Sequence, residues 1–221
     1  MNILYQDNTL WVVQKPPELL SEQTEAGNSL ADLLAAENRD YVGVIHRLDR
    51  GVGGVMVYAK TPRSAAALSA QVQSHTLKKE YLAVVEGIPE ELEGTLCDLL
   101  FHDRRINKTF VVERERKGVK EAILDYRLLE TLDTDAFGTI SLLLVRLHTG
   151  RTHQIRAQFS HRKLPLLGDR KYGARHNHPI ALFSHRLTFL HPVTGKTVIH
   201  SACPTGEPWD AFATLPRKIE S

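Results

Sequence analysis

Short apolar runs rich in β-branched and aromatic residues recur along this chain, and they constrain its fold more than any other feature. Runs of this kind, bounded by polar or turn-forming residues, are typical of β-strands. Because many of them are neighbours in sequence, they favour antiparallel pairing over a purely parallel sheet. The predicted strands are residues 9–15, 54–60, 78–87, 108–113, 122–130, 139–147 and 195–201.

Two other segments have helical periodicity. Residues 28–38 place leucines behind a polar start, which predicts an amphipathic helix. Residues 61–74 begin with Thr61, a favourable N-cap, followed by Pro62 at the first helical position. Strands therefore outnumber helices, and we predict an α+β fold with a largely antiparallel or mixed sheet.

The composition argues against several classes of protein. No run approaches the roughly 18 to 20 apolar residues that span a bilayer, and the N-terminus lacks a basic segment followed by an apolar one. We therefore expect a cytoplasmic protein with no membrane partner. The two cysteines, Cys97 and Cys203, form no CxxC or Cys/His pattern, so the sequence supports neither a disulfide framework nor a zinc site.

Positive charge is concentrated in one segment. The net charge is only +2, but eight Lys or Arg residues between Arg146 and Arg175 accompany a single acid, Asp169. A solvated surface is one interpretation of such a run. Because histidines, Gln154 and Tyr172 alternate with these cations, we favour a surface for nucleic acid. The eight cations are Arg146, Arg151, Arg156, Arg162, Lys163, Arg170, Lys171 and Arg175.

The segment HRLDRGVGG, residues 46–54, places Asp49 between two arginines and follows it with glycines. Glycines at this point allow close approach by another backbone or a ligand. A surface ion pair between Asp49 and one of the arginines is the simplest alternative. A kinase catalytic loop needs the Asp directly after the Arg, a glycosidase needs a second facing carboxylate, and no HExxH pattern supports metal hydrolysis. The sequence thus indicates no metal site.

Several segments together resemble the RluA family of pseudouridine synthases, from about residue 3 to residue 205. HRLDR matches the family's catalytic motif and places its aspartate at Asp49. LKKEYLAVVEG places the family's active-site tyrosine at Tyr81, and LHTGRTHQIRAQF places its arginine at Arg156. The remaining matches are LLGDRKYG at residues 166–173 and HPVTGK at residues 191–196.

The resemblance implies the pseudouridine synthase catalytic fold, which has a mixed, mostly antiparallel central sheet, flanking helices and a central active-site cleft. Many members of the family carry a small RNA-binding domain in front of the catalytic one, but too few residues precede Trp11 here to form it. We therefore expect a single catalytic domain over residues 1–221, with no separate N-terminal RNA-binding domain, and a monomer. The implied partner is structured RNA, either rRNA or tRNA. The implied reaction isomerises uridine to pseudouridine and needs no cofactor.

The resemblance also implies a role for each candidate site residue. Asp49 would act on the ribose as a nucleophile or a base, and Arg156 would pair with Asp49 to hold it in place and charged. Tyr81 would stack on the target base, with its hydroxyl near the proton lost from carbon five. The candidate RNA contacts are His46, Arg47, Arg50, Arg151, His153, Gln154, Arg162 and Lys171.

The chain departs from the family pattern beside the aspartate. Val52 and Gly53 stand where the family usually has Thr and Ser, which removes two hydroxyl groups. Two other functions are alternatives at this point: an RNA-binding protein that has lost catalysis, and a sugar or nucleotide hydrolase that uses Asp49. The presence of all three catalytic residues disfavours the first, and the missing second acid disfavours the second.

Overall fold

The computed structural model describes residues 2–38 and 41–215, so residues 1, 39–40 and 216–221 of the predicted domain lie outside the described part. Its helices are α1 (Leu30–Asn38), α2 (Pro62–Gln73) and α3 (Gln154–His161), with 3₁₀ turns at Arg170–Tyr172 and Trp209–Ala211. Its strands are β1 (Asn2–Gln6), β2 (Leu10–Lys15), β3 (Gly43–Val44), β4 (Gly53–Ala59), β5 (Lys78–Glu86), β6 (Glu93–Asp103), β7 (Lys108–Val112), β8 (Val119–Thr134), β9 (Gly138–Leu147), β10 (Leu182–Leu190) and β11 (Thr197–Ser201).

The predicted α+β fold with a mixed sheet is confirmed. β4 and β10 form a parallel pair, whereas β1–β2 and β2–β4 are antiparallel. Both predicted helices are present, and the Thr61 hydroxyl of the second accepts a hydrogen bond from the Ser64 N–H at 3.1 Å. Four strands and one helix were not predicted from the sequence: β1, β3, β6, β10 and α3.

The described residues form two compact units, of which the first comprises residues 2–80 and 183–204. Its strands pair in the order β1-β2-β4-β10, with β3 added to β4 and β11 added to β10. Helix α2 packs on β4, where Leu68 joins Val55 and Val57 in the hydrophobic core. This packing fixes the strand that follows the Asp49 turn. The single-domain assignment over residues 1–221 stays a prediction.

Gly54 pairs with Ser184 where β4 meets β10, and this position requires glycine. Its φ is +125°, a conformation that L-residues rarely adopt, and a Cβ atom there would overlap the backbone of Ser184 on β10. The Ser184 hydroxyl donates to the Val55 carbonyl oxygen at 2.9 Å, which holds the two strands at this separation. The last glycine of HRLDRGVGG therefore permits the parallel pairing.

We expect Gly54→Ala to lower the free energy of unfolding by about 3 kcal/mol or more, because backbone strain and overlap with β10 act together. Gly195→Ala is the matched control, since Gly195 also has a positive φ, +66°, but open space around its Cβ position. Its cost should be the conformational one alone, about 1 kcal/mol. Urea denaturation of both variants measures the difference, and equal losses would contradict the overlap.

The second unit comprises residues 81–182 and 205–215. Its strands pair in the order β5-β9-β8-β6-β7, and the pairs β9–β8, β8–β6 and β6–β7 are antiparallel. Helix α3 lies against β6 and β7, where Ala157 packs with Leu100 and Ala122. The 3₁₀ turn that follows brings Tyr172 into the same cluster. The helix that carries Arg156 and the loop that carries Asp169 thus share one small core.

Candidate active site

Asp49 lies in the loop between β3 and β4, and its side chain is partly exposed. The Val52 N–H donates to the Asp49 carbonyl oxygen at 2.9 Å and closes a turn. The preceding residue, Leu48, is buried and makes two hydrogen bonds with Ser21: its N–H donates to the Ser21 hydroxyl at 3.1 Å, and its carbonyl accepts from that hydroxyl at 3.0 Å. The backbone on both sides of the acid is therefore fixed by hydrogen bonds.

Lys15, at the end of β2, is fully buried beneath this loop and was not predicted as a site residue. Its ammonium group donates to the carbonyl oxygens of Pro16, Leu19 and Arg50 at 3.0, 2.6 and 3.1 Å. Burial lowers the pKa of Lys15 to about 8, although the carboxylates of Glu18 and Asp49 oppose this change. Lys15 thus links the loop after β2 to Arg50, the residue that follows Asp49. Its positive charge also interacts with the Asp49 carboxylate.

The lowered pKa predicts a pH-dependent stability. The ordinary lysine value is 10.5, so between about pH 8 and 10.5 the unfolded chain binds a proton that folded Lys15 has released. Stability of the wild type should therefore rise with pH across this window, relative to Lys15→Met, by about 2–3 kcal/mol. Urea denaturation of both proteins from pH 7 to 10.5 measures this difference. Parallel stability curves would show that Lys15 titrates normally.

The arginines on either side of Asp49 are exposed and have glutamate partners. Arg47 pairs with Glu22 at 2.9 Å, and Arg50 pairs with Glu18 at 3.4 Å. Exposed ion pairs of this kind are weak. Both guanidinium groups thus stay accessible to a phosphate at small cost.

His46 does not lie on the surface, although it was predicted to contact RNA. Its ring is buried, and its Nε2 atom accepts a hydrogen bond from the Val57 N–H on β4 at 3.3 Å. Burial, with the positive charge of Lys79, holds the pKa of His46 well below its ordinary value. The enclosed ring anchors the motif to β4, and the contact of His46 with RNA stays a prediction.

Tyr81 lies on β5, and its side chain is buried. Strand geometry places Lys79, Tyr81 and Ala83 on one face of β5 and the intervening residues on the other. Burial of a tyrosine ring within a strand restricts its rotation. This supports an ordered ring, as a stacking role would require.

Arg156 is held near the start of α3 by Asp169. Its Nε and Nη2 atoms donate to the Asp169 Oδ2 and Oδ1 atoms at 2.7 and 2.8 Å, which is bidentate geometry. The carbon of its guanidinium lies 4.9 Å from the centre of the Tyr172 ring. The Tyr172 hydroxyl accepts from the Thr109 N–H at 2.7 Å and hydrogen-bonds with the His153 Nδ1 atom at 3.0 Å. Neither Asp169 nor Tyr172 was predicted as a partner of Arg156, although both belong to LLGDRKYG.

Two other predicted RNA contacts near Arg156 are buried. His153 is the N-cap of α3 and adopts a left-handed conformation, with φ of 52°. The Gln154 Oε1 atom accepts from the Thr149 hydroxyl at 2.8 Å and the Arg151 N–H at 3.0 Å, while its Nε2 atom donates to the Ile123 carbonyl oxygen at 3.1 Å. The Gln154 side chain thus holds the loop before α3 in place, and RNA contacts of His153 and Gln154 stay predictions.

The basic segment is partly neutralised by its own structure. Arg156, Arg162 and Arg175 each pair with a carboxylate, those of Asp169, Asp98 and Glu86. Burial acts to raise the pKa of Glu86, but hydrogen bonds from Arg175 and His176 hold this pKa below its ordinary value. Arg151 is partly exposed, and its Nε atom donates to the Glu121 carbonyl oxygen at 2.8 Å. The exposed cations of the segment that are not in these three pairs include Arg146, Lys163, Arg170 and Lys171.

Within residues 2–38 and 41–215, no group of His, Cys, Asp and Glu side chains has the arrangement of a metal site. The same ranges contain no helix long and apolar enough to cross a membrane.

The family model for RNA pseudouridylate synthases matches residues 9–161 of this chain. The chain is 33% identical over 214 residues to an uncharacterized RNA pseudouridine synthase of Synechocystis, covering 90% of this chain and 64% of that protein. It is 35% identical over 230 residues to ribosomal large subunit pseudouridine synthase D of Xanthomonas campestris, covering 91% of this chain and 65% of that protein. The chain thus spans slightly less than two thirds of the length of these relatives.

The fold is similar to that of two human proteins of known structure. Human RNA pseudouridylate synthase domain containing 1 superposes with a TM-score of 0.78 at 21% identity, covering 99% of this chain and 91% of that one. Human RNA pseudouridylate synthase domain containing 4 gives a TM-score of 0.73 at 21% identity, covering 91% of this chain and 87% of that one. At this identity the similarity is one of fold alone.

Proposed function

Because this chain belongs to the RNA pseudouridylate synthase family, we propose that it converts uridine in RNA to pseudouridine. The observation that carries the proposal is the family match over residues 9–161, which contain Asp49, Tyr81 and Arg156. Relatives named ribosomal large subunit pseudouridine synthase D favour ribosomal RNA over transfer RNA as the substrate.

The reaction breaks the bond between C1′ of the ribose and N1 of the base, rotates the base and joins C1′ to C5. The proton on C5 is lost, and N1 carries a proton in the product, so atoms and charge balance without a redox partner. Two routes satisfy this balance. Asp49 either attacks C1′ as a nucleophile or removes the neighbouring C2′ proton as a base, and both routes require its carboxylate to be ionised.

The surroundings of Asp49 support either route. Hydrogen bonds of Leu48 and Val52 fix the backbone around the acid, so little ordering is needed when a ribose arrives. The buried ammonium group of Lys15 interacts electrostatically with the Asp49 carboxylate. The glycines after Asp49 carry no side chains that would obstruct a nucleotide.

Tyr81 and Arg156 complete the proposed set of catalytic residues. The Tyr81 ring stacks on the uracil, and its hydroxyl assists removal of the C5 proton. Arg156 contributes a fixed positive charge that stabilises negative charge on the detached base. Its bidentate bond with Asp169 supports this role, because a guanidinium already oriented needs no reorganisation during the reaction.

RNA capture is assigned to exposed cations. A paired uridine is inaccessible, so the nucleotide leaves its stack at a cost of a few kcal/mol, least in a loop or distorted stem. Phosphate contacts offset this cost and make binding dependent on salt. The proposed phosphate contacts are Arg47, Arg50, Arg151, Arg162 and Lys171, all exposed or partly exposed.

Mapping of pseudouridines in ribosomal and transfer RNA, incubated with and without the purified protein, tests this function. We expect new pseudouridine in ribosomal RNA, confined to loops or distorted stems. Binding without any new pseudouridine would favour an RNA-binding protein, and release of free uracil would favour a hydrolase. Affinity measured against salt concentration for Lys171→Gln tests capture, with a slope reduced by about 0.7–0.9 if one phosphate contact is lost.

A further inference from the structure

We infer that Asp169 is a positioning residue for Arg156, fixing the orientation of the guanidinium that acts on the uridine. The inference rests on the proposed function, since it requires Arg156 to take part in the reaction. It adds to that function a residue that contacts no reacting atom and acts only through the arginine.

The geometry of the pair leaves one orientation for the guanidinium. Two parallel hydrogen bonds, of 2.7 and 2.8 Å, join the Nε and Nη2 atoms of Arg156 to the two carboxylate oxygens of Asp169. The side chains are only 12% and 2% exposed, so water competes weakly for either partner. A bidentate bond in such surroundings fixes the plane of the guanidinium as well as its position.

Asp169 is itself fixed by the backbone around it. Its N–H donates to the Leu166 carbonyl oxygen at 2.9 Å. Its own carbonyl oxygen accepts from the N–H groups of Tyr172 and Ala174 at 2.9 and 3.1 Å. The carboxylate therefore projects from a closed turn, and it transmits the position of that turn to Arg156.

Tyr172 restrains the face of the same guanidinium. Its ring lies under Arg156 at 4.9 Å, within the range of a cation–π contact. Hydrogen bonds hold both the side chain and the main chain of Tyr172. Its hydroxyl bonds with Thr109 and His153, and its main-chain carbonyl oxygen accepts from the Ser160 hydroxyl at 2.6 Å. Asp169 thus bonds to the edge of the guanidinium, and Tyr172 packs against its face. A lysine has no planar group that could make both contacts, so we expect that it cannot replace this arginine.

A double-mutant cycle tests the inference. Asp169→Asn, Arg156→Ala and the double variant are compared with the wild type in single-turnover rate and in RNA affinity. We expect Asp169→Asn to slow turnover by about 100-fold with unchanged RNA affinity, because a misplaced catalytic group costs this much. In the Arg156→Ala background, Asp169→Asn should cause no further loss, since nothing is left to position.

Glu86→Gln is the matched control for the loss of a buried carboxylate. The Glu86 side chain is 1% exposed, lies in the same unit and pairs with Arg175 and His176, which have no proposed catalytic role. Its substitution should lower Tm and leave turnover unchanged. If Asp169→Asn does not fold, Arg156→Lys provides the second test: it keeps the positive charge and leaves Asp169 in place but cannot make the bidentate bond, and we expect turnover to slow about 100-fold.

Wild-type turnover by a folded Asp169→Asn, or by Arg156→Lys where that test replaces it, would overturn the inference. An equal loss caused by Asp169→Asn with and without Arg156 would overturn it too, because Asp169 would then act independently. Full turnover by Arg156→Ala would overturn both the proposed role of Arg156 and this inference. Failure of the inference alone is therefore distinguishable from failure of the proposed function.

Discussion

Asp49→Asn is expected to abolish pseudouridine formation while leaving the fold and RNA binding intact. The amide is nearly isosteric with the carboxylate but is neither a nucleophile nor a base, so the rate should fall by about 10⁴-fold or more. The hydrogen bonds that hold this loop come from the backbone of Leu48, Asp49 and Val52, and the substitution does not remove them.

Single-turnover assays, with RNA affinity and Tm measured on the same preparation, check this result. Asp125→Asn is a matched control, because Asp125 pairs with His148 at 2.6 Å on the surface and has no proposed role in the reaction. The control should turn over at the wild-type rate. Substantial turnover by Asp49→Asn would remove Asp49 from the catalytic role.

Tyr81→Phe is expected to slow turnover by about 100-fold or more with little change in RNA affinity. The phenyl ring still stacks on the base, so binding is retained, whereas the hydroxyl that assists removal of the C5 proton is lost. Tyr126→Phe is the matched control, since the Tyr126 hydroxyl donates to the Glu91 carbonyl oxygen at 3.3 Å and has no proposed role.

A rate for Tyr81→Phe close to that of the wild type would restrict Tyr81 to stacking. An isotope effect from deuterium at C5 of uridine adds a direct measurement of the step concerned. If the hydroxyl assists proton removal, the isotope effect should increase in Tyr81→Phe, because that step then limits the rate.

Local sequence determined those elements whose signals lie within a few residues of one another. The continuous apolar runs of β2, β4, β5 and β9 were predicted to within one residue at each end. Thr61 and Pro62 likewise predicted the start of α2, because an N-cap depends on the next three residues alone. By contrast, β10 contains the polar residues Ser184, His185 and Arg186. How far each is buried depends on strands distant in sequence, so the local sequence did not show the apolar pattern of a strand.

Helix α3 shows the same limit at a functional position. Its N-cap is His153 in a left-handed conformation, without a side-chain capping bond, so the usual start signal is missing. The helix is stabilised by its packing on β6 and β7, which no window of neighbouring residues reveals.

The motifs were sufficient to identify the family and to nominate Asp49, Tyr81 and Arg156, whose catalytic roles stay predictions. Which side chains support them was decided by tertiary structure. Lys15 was predicted only as the last residue of a strand, yet its ammonium group binds the carbonyl oxygen of Arg50, 35 residues away. Asp169 was counted as the lone acid of a basic segment, yet it binds Arg156. Sequence determines which chemical groups are available, whereas burial and hydrogen-bond partners depend on contacts between residues far apart in the chain.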